Sequence, residues 1–97
     1  PDGASFFFWV PAVGEYSVYA WWPQASHRSD SVNYRVYETE DGRRLFDGEV
    51  NQQSGGGRWN HLGTWEWTST GWGEVLISPS RSGRGTIAAD AIRVVRH

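Results

Sequence analysis

The sequence predicts an all-β domain, an antiparallel β-sandwich of about seven strands. Apolar and polar residues alternate with period two in most segments, which is the pattern of a strand with one buried face. Turn-forming glycine, proline and aspartate residues recur between these segments, and no segment has the apolar spacing of a three-turn helix. The 97 residues fit one domain, so we expect residues 1–97 to form a single module.

The alternation sets the expected strand positions. The predicted strands cover residues 5–10, 15–22, 32–38, 44–52, 59–68, 74–78 and 86–96. In the second strand Tyr19 and Trp21 point away from the predicted core. In the fifth strand Trp65 and Trp67 share one face, and we expect both indoles in the core.

Glycines mark the expected turns and one irregularity. Residues 40–43 contain an Asp-Gly pair and predict a hairpin turn, and residues 54–57 form a glycine-rich connection. Residues 70–73 predict a further turn, which would contain Trp72. Gly63 interrupts the fifth strand and predicts a bulge or a close approach of the backbone to another group.

Composition excludes several function classes. The net charge is −2 and all nine basic residues are arginines, so the chain lacks the excess positive charge that nucleic-acid binding requires. It contains no cysteine, and hence no disulfide or thiolate metal site, and no apolar run long enough to span a membrane. The chain opens on Pro-Asp-Gly without methionine, and we expect a mature segment or a piece of a longer protein.

Catalytic residues are not evident. Ser29, His27 and Asp30 supply the residue types of a nucleophilic triad, but they lie in one predicted loop without a nucleophile elbow. The eleven acidic residues show no pattern that indicates a paired-carboxylate cleft. We therefore expect no enzymatic activity in this chain itself.

No cofactor is expected, and a structural Ca²⁺ is the alternative left open. Asp30, Asp41 and Asp47 fall in predicted loops and carry the oxygen ligands that Ca²⁺ prefers. None of them belongs to the dense alternating acidic pattern of a dedicated calcium loop. The three histidines, which lack the spacing of zinc ligands, are His27, His61 and His97.

The aromatic content indicates a recognition surface. Seven tryptophans and four tyrosines exceed what two small facing sheets can enclose, so some rings must lie outside. Exposed aromatic rings can stack on the apolar face of a sugar, and a nearby arginine can pair with a uronate carboxylate. The same rings could instead cover a sheet or pack on a neighbouring domain. The candidate ligand-binding residues are Trp21, Tyr19, Tyr37, Arg35 and Trp72.

Three sequence blocks carry a family resemblance. They are the strand Gly-Glu-Tyr-Ser-Val-Tyr-Ala-Trp-Trp-Pro at 14–23, the segment from Val50 to Trp65 that contains Gln-Gln-Ser-Gly-Gly-Gly-Arg-Trp, and Ala-Asp-Ala-Ile-Arg-Val at 89–94. In this order they resemble the golvesin C-terminal-like domain, also described as the xanthan-lyase carbohydrate-binding-like domain. The resemblance implies a jelly-roll-like sandwich appended to secreted bacterial hydrolases, lyases and oxidoreductases. The family usually has a further strand upstream of the position of Ser5, and its absence here would leave a sheet edge exposed.

Several residues of these blocks have expected structural roles. Gln52 and Asn60 are amides that can tie backbone groups of the glycine-rich connection. Gly63 would let the strand bend so that Leu62 and Trp65 both reach the core. Asp90 would accept backbone hydrogen bonds at the entry to the last strand. Trp59 lies in the same block, which we interpret as architectural.

These observations favour a noncatalytic carbohydrate-binding accessory module of a secreted, extracellular bacterial protein. Its expected partners are a polysaccharide or cell-wall glycan and the other domains of its parent protein, with no nucleic acid and no membrane. The alternative is a structural or protein-interaction module that docks on a sister domain or self-associates.

Overall fold

Seven strands build the domain. In the computed structural model, residues 3–23, 28, 30–39, 42–79 and 91–97 are described. The strands are β1 (Ala4–Val10), β2 (Gly14–Trp21), β3 (Val32–Glu38), β4 (Arg43–Val50), β5 (Trp59–Trp67), β6 (Gly71–Pro79) and β7 (Ala91–Arg96). The described part of the chain contains no helix, and accordingly none that is long and apolar enough to cross a membrane.

The strands form two antiparallel sheets. The four-stranded sheet has the order β1-β6-β3-β4, and the three-stranded sheet has the order β5-β2-β7. Neighbours in each sheet are antiparallel throughout. The predicted all-β, seven-stranded antiparallel sandwich is confirmed.

The core lies between the two sheets and follows from the period-two alternation. Every second residue of β2, β3 and β6 is buried, because successive side chains of a strand point to opposite faces. The buried apolar residues are Val10, Tyr16, Val18, Ala20, Trp22, Val32, Tyr34, Val36, Trp67, Val75 and Ile77. Trp67 is buried and Trp65 packs against the core, as their alternation predicts.

A β-bulge in β5 allows residues on both sides of it to pack on the core. Val18 of β2 pairs with Gly63 and Tyr19 pairs with His61, so Leu62 is the additional residue of β5. The bulge reverses which residues face inward, and Leu62 and Trp65 therefore both pack on the core. A Cβ at Gly63 would stand 2.7 Å from Cη2 of Trp65, so only glycine leaves room for this indole. The expected bulge and close approach at Gly63 are confirmed.

The predicted turn at residues 70–73 is wrong. β6 already begins at Gly71, and Trp72 is a strand residue paired with Trp9 of β1. The glycine at position 73 serves packing and not a turn, because a Cβ there would overlap the Phe8 ring. A glycine needed for close approach has the same signature in sequence as a glycine needed for a turn.

The loop between β4 and β5 is fastened by amide side chains. Gln52 is fully buried, and its Nε2 donates to the Tyr34 hydroxyl at 2.9 Å. Burial raises the pKa of Tyr34 to about 12, against a smaller lowering by this hydrogen bond. Asn60 Nδ2 donates to the carbonyl oxygen of Gly55 at 2.8 Å. Gly55 itself has a positive φ of 74°. Asn60 thus bonds backbone carbonyl groups of this connection, as expected, whereas the Gln52 amide bonds a tyrosine side chain of the core. Asp90 lies outside the described residues.

A buried carboxylate links the two sheets at one end of the sandwich. The Glu38 side chain is 1% exposed and accepts hydrogen bonds from the backbone N–H groups of Thr68 and Ser69, each at 3.1 Å. Arg43 Nε donates to the same carboxylate at 2.6 Å. Burial alone would raise the pKa of Glu38, but hydrogen bonds from Arg43, Ser69 and Thr68 outweigh it and hold the pKa below its ordinary value.

Candidate functional site

The predicted ligand-binding residues divide between opposite faces of the sandwich. Tyr37, Arg35 and Trp72 lie on the outer face of the four-stranded sheet. Tyr19 and Trp21 lie on the outer face of the three-stranded sheet. All five point away from the core, but the structure does not bring them together in one site. Two separate surfaces therefore have to be considered.

The first surface, here called the front strip, consists of Phe7, Trp9, Trp72 and Tyr37 on the four-stranded sheet. Phe7 is 61% exposed, Trp9 59% and Trp72 49%. Trp9 and Trp72 are cross-strand partners whose ring centroids lie 5.3 Å apart with an interplanar angle of 78°. Phe7 precedes Trp9 by two residues, which is about 7 Å along the strand. The strip is the most exposed aromatic surface of the described chain.

Sequence reasoning missed Phe7 and Trp9. The segment 5–10 is apolar at nearly every position, so period-two alternation alone does not separate an inner from an outer face. In the structure Phe6 and Phe8 pack against the core, while Phe7 and Trp9 face outward. The signal that could have identified them is the run of four consecutive aromatic residues at 6–9, because one buried face of a strand needs an apolar residue only at every second position.

Polar groups lie beside the front strip. Glu74 of β6 is the register partner of Phe7 on one side and of Tyr37 on the other. Thr39 Oγ1 donates to the carbonyl oxygen of Trp72 at 2.6 Å, which fixes the end of β3 beside the indole. A shallow depression of about 440 Å³ is lined by Tyr37, Thr39, Gly42, Glu74 and Leu76. The face thus combines apolar rings with acceptors for hydroxyl groups.

Arg35 belongs to a charged cluster on the same face. Its Nε lies 3.5 Å from Oδ1 of Asp47, and Arg44 Nη1 lies 3.3 Å from Oδ2. Asn33 Nδ2 donates to Asp47 Oδ1 at 2.8 Å, and this hydrogen bond, followed by the charges of Arg35 and Arg44, lowers the pKa of Asp47. The expected loop position of Asp47 is wrong, because the residue lies within β4. A bulge next to Leu45 turns both Arg44 and Asp47 outward.

The second surface, here called the back ladder, consists of Tyr19, Trp21, Trp59 and His61 on the three-stranded sheet. Trp21 is the cross-strand partner of Trp59, and Tyr19 that of His61. The Tyr19 and His61 rings lie 5.1 Å apart. Trp59 is 41% exposed, whereas Tyr19 and Trp21 are half-buried. Trp59 is therefore an outward-facing aromatic residue and not a core element of its block.

A hydroxyl network borders the back ladder. The buried Ser17 Oγ lies 2.7 Å from Thr64 Oγ1 and 2.5 Å from His97 Nε2, and Thr64 Oγ1 lies 3.1 Å from His61 Nε2. Within the described residues, no carboxylate is hydrogen-bonded to either imidazole. Among these residues the structure therefore shows no third group of the kind that orients a catalytic base.

Of the candidates for chemistry not yet placed, Asp30 alone belongs to the described residues. Asp30 is exposed and lies in a loop. Asp41, His27 and Ser29 fall outside the described residues. In residues 3–23, 28, 30–39, 42–79 and 91–97, no three His, Asp or Glu side chains are grouped so that they could hold a metal ion.

Fold and surfaces together define a small antiparallel β-sandwich module with aromatic outer faces. Comparison with known families then gives its membership: the family model of the Golvesin C-terminal domain matches residues 1–96, and the chain belongs to this family.

Its relatives are far longer proteins. The chain is 35% identical to a xanthan lyase from Bacillus sp. (strain GL1) over 88 residues, which are 89% of this chain and 9% of that protein. A solved Paenibacillus xanthan lyase matches 96% of this chain and 9% of its own, at 33% identity with a TM-score of 0.79. A Paenibacillus sp. cycloisomaltooligosaccharide glucanotransferase, solved with cycloisomaltoheptaose, shares the fold at 18% identity and a TM-score of 0.61, over 93% of this chain and 12% of that one.

Proposed function

We propose that this domain is a noncatalytic carbohydrate-binding module of a larger, secreted bacterial protein, and that the glycan binds along the front strip. The observation that carries the proposal is the exposure of Phe7, Trp9 and Trp72 side by side on one sheet face. Exposed apolar surface of this kind is costly in water unless it is used for contact. Trp21 and Tyr19, on the opposite face, are outside this proposed site.

The chemistry of the front strip suits a sugar ring. The C–H groups on one face of a pyranose are apolar and pack against an aromatic ring, while its hydroxyl groups need hydrogen-bond partners at the rim. Trp9 and Trp72 supply the rings, and the Glu74 carboxylate and Tyr37 hydroxyl lie beside them. The edge-to-face contact of the two indoles restrains both before binding, which reduces the entropy lost on association.

The relatives support this class of ligand. A xanthan lyase and a cycloisomaltooligosaccharide glucanotransferase are both named for carbohydrate substrates. This chain corresponds to about a tenth of each protein, so we assign it an accessory role and not their reactions. Secretion is part of the same proposal, because a module for polysaccharide retention acts where the polymer is.

Affinity electrophoresis in gels that contain soluble polysaccharides tests the proposal. We expect retardation of the wild type by at least one polymer, with a dissociation constant in the millimolar to micromolar range, about −4 to −8 kcal/mol. Trp72→Ala should abolish the retardation, and Trp59→Ala on the back ladder is the matched control that should retain it. Retardation lost in Trp59→Ala but kept in Trp72→Ala would refute the placement.

A second candidate function is protein docking, and the position of the front strip favours it. Phe7 and Trp9 lie on β1, an edge strand of the four-stranded sheet, and an edge strand can pair with another chain. Sedimentation velocity distinguishes the two functions. Self-association that rises with concentration, disappears in Trp9→Ala and occurs without retardation by any polysaccharide would establish docking instead.

A further inference from the structure

The arginines of the front face are already paired. Asp47 contacts both Arg35 and Arg44, one with each carboxylate oxygen, at 3.5 and 3.3 Å. The hydrogen bond from Asn33 holds Asp47 in this position. Arg35 Nε is buried, so a second carboxylate cannot approach this guanidinium side-on as a bidentate partner would. Asp47 therefore offsets one of the two positive charges, and the two cations share it.

Glu74 places a negatively charged side chain beside the aromatic rings. It lies between Phe7 and Tyr37, in the middle of the front strip. Among the described residues no cation forms an ion pair with it. The charged side chains that the described part of the chain places on this face are two arginines and three carboxylates: Arg35, Arg44, Asp47, Glu49 and Glu74. Among the described residues, an anionic sugar would thus meet one more negative than positive charge on this face.

We infer that the glycan bound by the front strip is uncharged, and that Asp47 is the residue that sets this specificity. The inference rests on the proposed function, and it replaces the uronate partner that the sequence suggests for Arg35. Hydroxyl groups of a neutral sugar can donate hydrogen bonds to Glu74 and Asp47. A uronate offers the same hydroxyl groups but adds like-charge repulsion against Glu74, while the two arginines that the described residues place on this face already share Asp47.

Asp47→Asn gives a direct test of this specificity. The substitution keeps the side-chain shape, removes the charge and leaves both arginines without their carboxylate. Glu49→Gln is the matched control: it removes the same charge from the same strand face, but its carboxylate contacts Ser31 and is not part of the arginine cluster. Wild type and both variants are compared by affinity electrophoresis in neutral glucan, neutral galactomannan, alginate and polygalacturonate.

The expected pattern separates this inference from the proposed function. Wild type should bind a neutral polymer and neither polyuronate, while Asp47→Asn should gain roughly three- to tenfold in polyuronate retention. That gain should vanish in about 1 M salt, where charges are screened within a few ångströms, and should be absent in Glu49→Gln. Wild-type retention by polyuronates, or an equal gain in both variants, would overturn the inference and leave the proposed function standing. Retention by no polymer would overturn both.

Discussion

Trp9 of β1 stands edge-to-face against Trp72 of β6, with ring centroids 5.3 Å apart and both indoles about half exposed. An aromatic pair at the surface contributes little to folding, since much of its area stays in water. Its value is an ordered apolar platform on the outside of the sandwich.

Trp72→Ala should therefore cost little stability. We expect a loss of about 1 kcal/mol, the usual worth of an edge-to-face contact beyond area burial. Urea unfolding monitored by fluorescence measures it, with Trp67→Ala as the buried comparison, for which about 4 kcal/mol is expected. A large loss in Trp72→Ala would mean that the indole is structural, and that its effect on glycan retention reports unfolding.

Glu38→Gln should strongly destabilise the domain. The carboxylate accepts hydrogen bonds from Thr68, Ser69 and Arg43. In glutamine an NH₂ group replaces one of the two accepting oxygens and would face an N–H group instead of accepting from it. We expect a loss of about 3 kcal/mol in the free energy of unfolding. The control Glu15→Gln changes an exposed carboxylate and should be close to neutral. Equal urea midpoints for the two variants would show that Glu38 does not hold the sheets together.

The same carboxylate predicts a pH dependence of stability. Because the pKa of Glu38 is lower in the folded state, its contribution is fully present above the unfolded pKa of about 4.3 and is lost as the pH falls through the folded value. The urea midpoint of the wild type should thus fall below about pH 4, and the difference from Glu38→Gln should shrink there. A difference that stays constant from pH 7 to pH 3 would contradict this linkage.

How far the sequence predicts the fold is seen at the two bulges. Gly63 predicted the bulge in β5, because glycine inside a strand indicates a bend or a close approach of the backbone to another group. The bulge next to Leu45 has no such residue, and it became visible only through the pairing of β3 with β4. Period-two alternation identified the other strands, since the burial of alternate side chains is a local property.

The candidate site was harder to predict than the strands. Alternation correctly turned Tyr19 and Tyr37 outward, but it does not tell which sheet a strand joins. Sheet membership depends on contacts between residues distant in sequence, so residues expected in one patch lie on opposite faces. Trp9 was not among the predicted site residues because its neighbours are also apolar. Trp72 was predicted as a site residue but placed in a turn, because its flanking glycines resemble a turn sequence.

Gly63→Ala tests the packing that the β5 bulge allows. The added methyl group would overlap the Trp65 indole. This indole also contacts the Phe46 ring, with ring centroids 5.3 Å apart and an interplanar angle of 38°. We expect a loss of about 2 kcal/mol and a changed tryptophan fluorescence, as for overpacked cores. Glu66→Ala, an outward-facing change on the same strand, serves as the control. Unchanged stability in Gly63→Ala would show that the Trp65 indole can move at no cost.

Binding at the front strip is tested most directly by the indole N–H resonances of the seven tryptophans, followed by NMR during titration with a neutral gluco-oligosaccharide. Single Trp→Phe variants assign them. The resonances of Trp9 and Trp72 should shift together with saturation, while those of the buried Trp22 and Trp67 stay in place. Shifts confined to Trp59 and the back ladder, or no shift with any neutral oligosaccharide, would contradict the account.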